Sequence, residues 1–361
     1  MPKHFDYIVL GGGFAGWSLV DHLLQLGCES HQIALVETRL SATGASSVPW
    51  ALMHPVPGRS LYPRAGYLEA WQYSLEYLAQ KQSQSIQPLF QILPVARLAY
   101  DQATARRFEN SFQRALVSEF RDIYPIQKDQ SFEQQALEVP LAQYVITQGR
   151  LLFLATIIRV IQAQSQIQSY EYMGQTPFEP CETGWKLNLQ TQILTCHHLI
   201  LATGAGLPQT IVKDTAIPLE ISQGELALFR VDQDLAIAIS AAGQFVVPLG
   251  QGIFYTGATH YQGARQIPAE QSWQELQQGL SWFKGIQDAQ LIRIWHGHRI
   301  NALDREPLVG QIQAGLWLMS GFSTRGGLLI PLAAQALSQQ LIHPEAPIPA
   351  GMDCQRYLST K

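Results

Sequence analysis

A strand, a glycine-rich turn and a helix open the chain, a second apolar strand ends in small residues near position 204, and short alternating strands fill 217–260. These three observations predict an α/β fold, in which a Rossmann-like dinucleotide-binding domain is interleaved with an α+β domain built on an antiparallel sheet. The 361 residues exceed one small core and suit two domains. Because the nucleotide motifs fall in separate segments, 1–75, 145–215 and 300–361 are expected to form the nucleotide domain, and 76–144 and 216–299 the substrate domain.

The elements follow in order. Phe5 to Leu10 is a short apolar run, Gly11 to Gly16 the turn, and Phe14 to Leu26 a helix with Gly27 where a C-terminal cap belongs. Gln32 to Val36 is the second strand, closed by Glu37, and the long loop 38–60 is rich in Gly, Ser and Pro. Leu61 to Gln82 reads as a helix, Leu89 to Ala99 as a strand, Ala103 to Phe120 as a helix and Glu138 to Val145 as a strand. A helix over Arg150 to Ala163 precedes short strands that end in Leu199-Ile200-Leu201-Ala202-Thr203-Gly204. Strands at 225–231, 236–240, 244–249 and 253–259, a helix at 269–283, strands at 291–300 and 315–320, and a last helix to Leu341 complete the reading.

Composition excludes several classes. Hydrophobic residues make up 47% of the chain, enough for a packed interior, so disorder is not the main state. A net charge of −4 argues against a general nucleic-acid binder. The arginines at 97, 106, 107, 114 and 121 are interrupted by Asp101, Glu109, Glu119 and Asp122 and read as a solvated helical face. Cys28, Cys181, Cys196 and Cys354 stand far apart, with no Cys/His pair at zinc spacing, so no metal site is expected. No window approaches the roughly 18 apolar residues of a membrane span. Met1 to Asp6 leads directly into the first strand without the apolar core of a signal peptide, so reduced cysteines and a cytoplasmic location are expected.

Gly11-Gly12-Gly13-Phe14-Ala15-Gly16 fits G-x-G-x-x-G between a strand and a helix. Gly11 makes the tight turn, Gly13 lets backbone N–H groups approach a pyrophosphate, and Gly16 permits close helix–strand packing. Glu37 ends the second strand at the distance expected of a ribose-binding acid, with Thr38 beside it, which suits FAD or NAD rather than NADP. The Leu199–Gly206 segment, with Thr203 and Gly204 at its end, resembles the second nucleotide-contacting strand of flavoproteins and favours FAD.

Gly44-Ala45-Ser46-Ser47-Val48-Pro49-Trp50-Ala51-Leu52-Met53-His54-Pro55 resembles the GAS-x-x-x-x-G-L-L-x-P loop of the D-amino-acid oxidase-like FAD superfamily, which includes glycine oxidase, sarcosine oxidase and the FAD domain of the bifunctional tRNA methylaminomethyl-thiouridine enzyme. Gly297 to Gly310 resembles the family's G-x-R-x-x-T-x-D-x-x-P-x-x-G, and Gly321-Phe322-Ser323-Thr324-Arg325-Gly326-Gly327-Leu328 its closing G-x-x-x-R-G-L. The resemblance covers about 1–60, 198–260 and 291–342; it departs at Ala51, where the family usually has glycine, and at Phe245, where many members have tyrosine.

The resemblance implies non-covalent FAD, held by Gly11, Gly13, Phe14, Ala15, Gly16, Glu37, Thr38, Ala45, Ser46, Ser47, Ala51, Leu52, Thr203, Gly204, Gly321 and Ser323 to Leu328. It implies that Arg299 pairs with a substrate carboxylate, that Arg325 adds a second positive charge near flavin or substrate, and that His54 and Phe245 line the substrate space. Asp304 is expected to order its loop rather than react. The implied activity is oxidation of the C–N bond of a glycine-like, D-amino-acid or N-substituted amino acid, with oxygen or another molecule as electron acceptor. Two alternatives stand beside it. One is oxidative removal of a carboxymethyl group from a modified tRNA wobble uridine, with tRNA the less favoured partner; the other is an FAD electron-relay protein that oxidises no amine.

Overall fold

The structure is a computed structural model and describes residues 2–38, 44–118, 121, 125–129, 136–172, 178–206, 217–263 and 267–358; the side chain of Thr38 lies outside the described set. The opening unit forms as its sequence dictates. Strand Lys3–Leu10 buries Ile8, Val9 and Leu10, the chain turns at Gly11 with φ +117°, and helix Phe14–Gln25 follows. A Cβ at Gly11 would collide with the backbone of Ala202, and one at Gly16 with the carbonyl of Gly11. The helix can lie this close to the sheet only because both positions are glycine.

Strand Ile33–Thr38 runs parallel to Lys3–Leu10 on one side, and Ile193–Leu201 runs parallel on the other. Strand Leu316–Ser320 adds in parallel to the carboxyl half of Ile193–Leu201, and Gln168–Tyr172 extends the far edge. Antiparallel strands at 178–188 and Leu308–Gln313 complete this first sheet. Helix Phe14–Gln25 packs against both Leu154–Ser165 and Gly326–Ile342 over a core containing Val9, Leu35, Ile200 and Leu329. Helix Tyr67–Ser83 joins this layer through Gly326–Ile342.

The second sheet is centred on Leu219–Arg230, paired with the long strand Gln290–Ala302 on one side and Ile253–Gly257 on the other. It continues through Gln244–Gly250, Ala238–Ala241, Val95–Ala99, Ala142–Ile146 and Ile126–Lys128. The expected antiparallel sheet carries one exception: Ala238–Ala241 runs parallel to Val95–Ala99. A small third sheet joins Ala51–Met53, Arg150–Leu152 and Phe90–Ile92.

Several expected elements shift. The strand expected over 89–99 divides at Leu93-Pro94, because proline lacks the N–H a ladder needs; its first half joins the small sheet and its second half the large one. The helix expected from Arg150 begins at Leu154, since Arg150–Leu152 is taken up as a strand. We propose that the first sheet and its helices form the nucleotide domain and the second sheet the substrate domain. Three of the expected boundaries fall inside elements: 75/76 inside helix Tyr67–Ser83, 144/145 inside strand Ala142–Ile146, and 299/300 inside strand Gln290–Ala302.

Candidate active site

A cavity of ≈ 1380 Å³ opens at the carboxyl ends of the parallel strands. That exceeds the roughly 300–1,000 Å³ of ordinary ligand pockets and leaves room for a dinucleotide together with a second small molecule. Of the expected cofactor positions, Gly11, Gly13, Phe14, Ala15, Glu37, Ala45, Ser46, Ser47, Ala51, Leu52, Thr203, Gly204, Gly321, Ser323, Thr324, Gly326 and Gly327 line it. Gly16 does not; it packs beneath the turn against Gly11.

The local geometry matches a dinucleotide's demands. Glu37 accepts a hydrogen bond from the Gly12 N–H, which fixes the carboxylate beside the glycine turn. Ser46 Oγ accepts from the Phe14 N–H at 3.0 Å, so the 44–47 loop closes on the helix start, where anions are favoured. A Cβ at Gly13 would stand 3.2 Å from that same hydroxyl oxygen. Thr203 Oγ1 is buried at the cavity wall with no hydrogen-bond partner among the described residues, a donor–acceptor that a bound polar group would satisfy.

Arg299 also lines the cavity, on strand Gln290–Ala302 opposite Ser222. Its guanidinium crosses the face of Gly224, which has no side chain to block it. Burial pulls the Arg299 pKa down, while Glu225 and Tyr255 favour its charge. Among the described residues no hydrogen bond or ion pair engages its guanidinium. Glu225 is fully buried beside it, accepting from Gln223 Nε2 at 2.6 Å and from the Thr259 hydroxyl, with His296 Nδ1 at 3.3 Å.

His54 and Phe245 both line the cavity. Burial, with the charge of Arg97 adding to it, brings the His54 imidazole down to about 3, and its Nδ1 is buried without a partner among the described residues. His260 and His298 line the cavity as well; His296 instead faces Glu225. Arg97, assigned from the sequence to a solvated face, is buried, and its guanidinium donates to the carbonyls of Val56 and Gly58.

Arg325 is a correction. It does not line the cavity: its Nη1 donates to the Tyr67 hydroxyl at 2.6 Å, with Glu306 at 3.9 Å. The turn Ser323–Arg325 aims the guanidinium toward helix Tyr67–Ser83, so it ties this turn to the helix rather than facing substrate. Leu328 is also absent from the wall and belongs to the helical core. Asp304 does order its surroundings. It accepts from the Glu306 N–H at 2.9 Å and pairs with Arg356 at 2.7 Å; these partners, against a burial penalty, hold its carboxyl below the usual range.

Sequence reasoning missed Tyr255. It lines the cavity one strand away from Phe245, with ring centroids 5.7 Å apart, and its hydroxyl donates to the Trp50 carbonyl at 3.2 Å. Only the pairing of Val247 with Tyr255 places that phenol near the residue whose own hydroxyl is missing. Arg59 and Arg107, both exposed, also line the cavity.

Known proteins fit this geometry. The chain resembles the tRNA 5-methylaminomethyl-2-thiouridine biosynthesis bifunctional protein of Maricaulis maris, at 26% identity over 92% of its own length, and spans about half (51%) of that relative. Its fold matches glycine oxidase from Geobacillus kaustophilus, with a TM-score of 0.81, 18% identity and 99% of both chains covered. It likewise matches iminodiacetate oxidase from Chelativorans, with a TM-score of 0.78, 17% identity and 97% and 98% of the two chains covered. The family model of FAD-dependent oxidoreductases spans residues 6–340, taking in the glycine turn, the Glu37 strand end and the Arg299 strand together. With a cavity whose glycines, Ser46 and Thr203 suit the cofactor, the chain belongs to the DAO family of FAD-dependent oxidoreductases.

Proposed function

We propose that the protein oxidises the C–N bond of a glycine-like, D-amino-acid or N-substituted amino acid. The observation that carries this reading is Arg299, a cavity-lining guanidinium that no hydrogen bond or ion pair engages among the described residues. A planar fork of donors suits a carboxylate, whose two oxygens it meets at once. FAD, held by the Gly11–Gly13 turn, Ser46 and Thr203, would supply the hydride acceptor for such an oxidation. The chain's own contribution is positioning: Arg299 fixes the carboxylate, Gly224 leaves its guanidinium room, and Phe245 and Tyr255 wall the remaining space. His54, held neutral by its burial, adds no charge to repel an amine.

The test is Arg299→Ala in the FAD-loaded enzyme. Truncating one side of a desolvated charge pair costs about 2–5 kcal/mol, or roughly 30- to several-thousand-fold in affinity. The Michaelis constant for a carboxylate substrate should rise accordingly while FAD stays bound, and Arg299→Lys should restore only part of the loss. Wild-type efficiency in Arg299→Ala would sink the amino-acid reading and favour an electron-relay flavoprotein.

A second reading moves the same chemistry to a carboxymethyl group on a modified tRNA uridine. Arg59 and Arg107, exposed and on the cavity wall, support it by offering positive charge to a polyanionic carrier. An anaerobic flavin-bleaching screen with glycine, sarcosine, D-amino acids and undermodified tRNA separates the two readings.

A further inference from the structure

We propose that His4, Asp6 and His197 form a binding site for a divalent transition-metal ion, with Zn2+ the best match, at the end of the first sheet remote from the cavity. One ligand atom from each residue lies within 4.8 Å of the others, although His197 is nearly two hundred residues away in sequence. Parallel pairing brings them together. His4 stands opposite Thr195, and Asp6 and His197 fall between the paired positions Phe5–Cys196 and Tyr7–His198. Residues two apart on a strand share a face, so His4 and Asp6 project beside Thr195 and His197.

The donor geometry fits a metal. The two Nε2 atoms are 3.2 Å apart, and two nitrogens bound tetrahedrally to zinc at its usual bond length stand about 3.3 Å apart. The outer hydrogen bonds fix which nitrogens are free. His197 Nδ1 lies 3.1 Å from the Thr183 carbonyl, which only accepts, so Nδ1 carries the proton and Nε2 presents its lone pair. His4 Nδ1 lies 3.0 Å from the Thr195 hydroxyl, which both donates and accepts. Without metal, His4 Nε2 donates to His197 Nε2 while the Thr195 hydroxyl donates to Nδ1. With metal, the proton resides on Nδ1, Thr195 accepts it, and both Nε2 lone pairs face the ion. Binding therefore needs a tautomer change at His4 and no net loss of a proton.

Asp6 supplies the third ligand. Its Oδ2 accepts from Gln32 Nε2 at 2.6 Å, which steadies the carboxylate and leaves Oδ1 to coordinate. Both histidines are exposed and Asp6 is half-buried, so an ion has open access and water can complete the coordination. Two neutral imidazoles and one carboxylate form the mixed nitrogen–oxygen set that zinc accepts. From His4 to Gly11 the strand rises roughly 23 Å at about 3.3 Å per residue, so the ion lies far from the dinucleotide end. Its effect is to staple the first strand to Ile193–Leu201, stabilising the folded state alone.

The experiment uses untagged, FAD-loaded protein, stripped with a chelator, desalted and titrated with ZnCl2 by calorimetry and against a chromogenic chelator. One equivalent should bind the wild type and raise its Tm. His4→Ala and His197→Ala should each weaken binding at least tenfold and abolish the Tm rise, and Thr195→Val should weaken it by a smaller factor. The flavin spectrum and turnover should match wild type in all three, which establishes that they are folded. Unchanged affinity in both histidine variants, or less than one equivalent bound by the wild type, overturns the proposal.

Discussion

The guanidinium of Arg299 lies against the bare Cα of Gly224: a Cβ built there would stand 2.7 Å from Arg299 Cζ. The two residues sit on adjacent paired strands, so neither can withdraw without disturbing the Leu219–Arg230 and Gln290–Ala302 ladder. Gly224→Ala should therefore push Arg299 aside while removing no functional group. We expect kcat/KM for a carboxylate substrate to fall about 10- to 100-fold, the scale of a displacement near 1 Å, with FAD content unchanged. Steady-state kinetics and flavin absorbance check both parts; unaltered kinetics would show that Arg299 is free to move.

Gly13→Leu tests the nucleotide end. Its side chain would grow toward Ser46 Oγ and fill the approach to the start of helix Phe14–Gln25. The purified variant should be colourless and folded, with only a trace of flavin released on acid precipitation. A yellow variant with stoichiometric FAD would place the pyrophosphate elsewhere.

Lys81 and Asp21 form a buried ion pair at 2.5 Å between helices Tyr67–Ser83 and Phe14–Gln25. Gln25 donates to the other oxygen of Asp21 at 2.8 Å. Lys81→Met leaves Asp21 buried without its countercharge and should cost about 3–5 kcal/mol in urea unfolding. Lys81→Met/Asp21→Leu should recover most of that loss, because removing both charges removes the desolvation penalty as well. Equal stability of the single and double variants would contradict this account.

His54 makes stability depend on pH. Burial, aided by Arg97, lowers its folded pKa to about 3, whereas an unfolded histidine titrates near 6.5. Between those values the unfolded chain binds a proton that the folded chain does not, so stability is full above about 6.5 and falls as the pH drops. One such proton corresponds to ~1.4 kcal/mol per pH unit. Urea unfolding at pH 7, 6 and 5 should show a shallower slope for His54→Phe than for wild type. His22, also lowered by burial, is present in both proteins and cancels. Identical slopes would mean that His54 meets solvent before unfolding.

The sequence by itself determined what depends on neighbours in the chain. The Gly11–Gly16 turn, the helix after it and the Glu37 strand end are set by glycine's conformational freedom and by apolar spacing, both legible without a fold. The position of Arg299 was legible through its motif, whose opening residues Gly297 to Ala302 lie on one continuous strand. What the tertiary structure alone decided is where side chains from distant segments point. It turned Arg325 toward Tyr67 although its motif matches, since a tight turn sets direction by backbone geometry that residue identity does not encode. It set Tyr255 beside Phe245 through antiparallel register, and His4 beside His197 through parallel register. It buried Arg97 under the 56–58 carbonyls, contrary to the charge pattern around it. The physical reason is common to the last three: strand pairing and packing join residues by register and burial, and neither quantity is written in the local sequence.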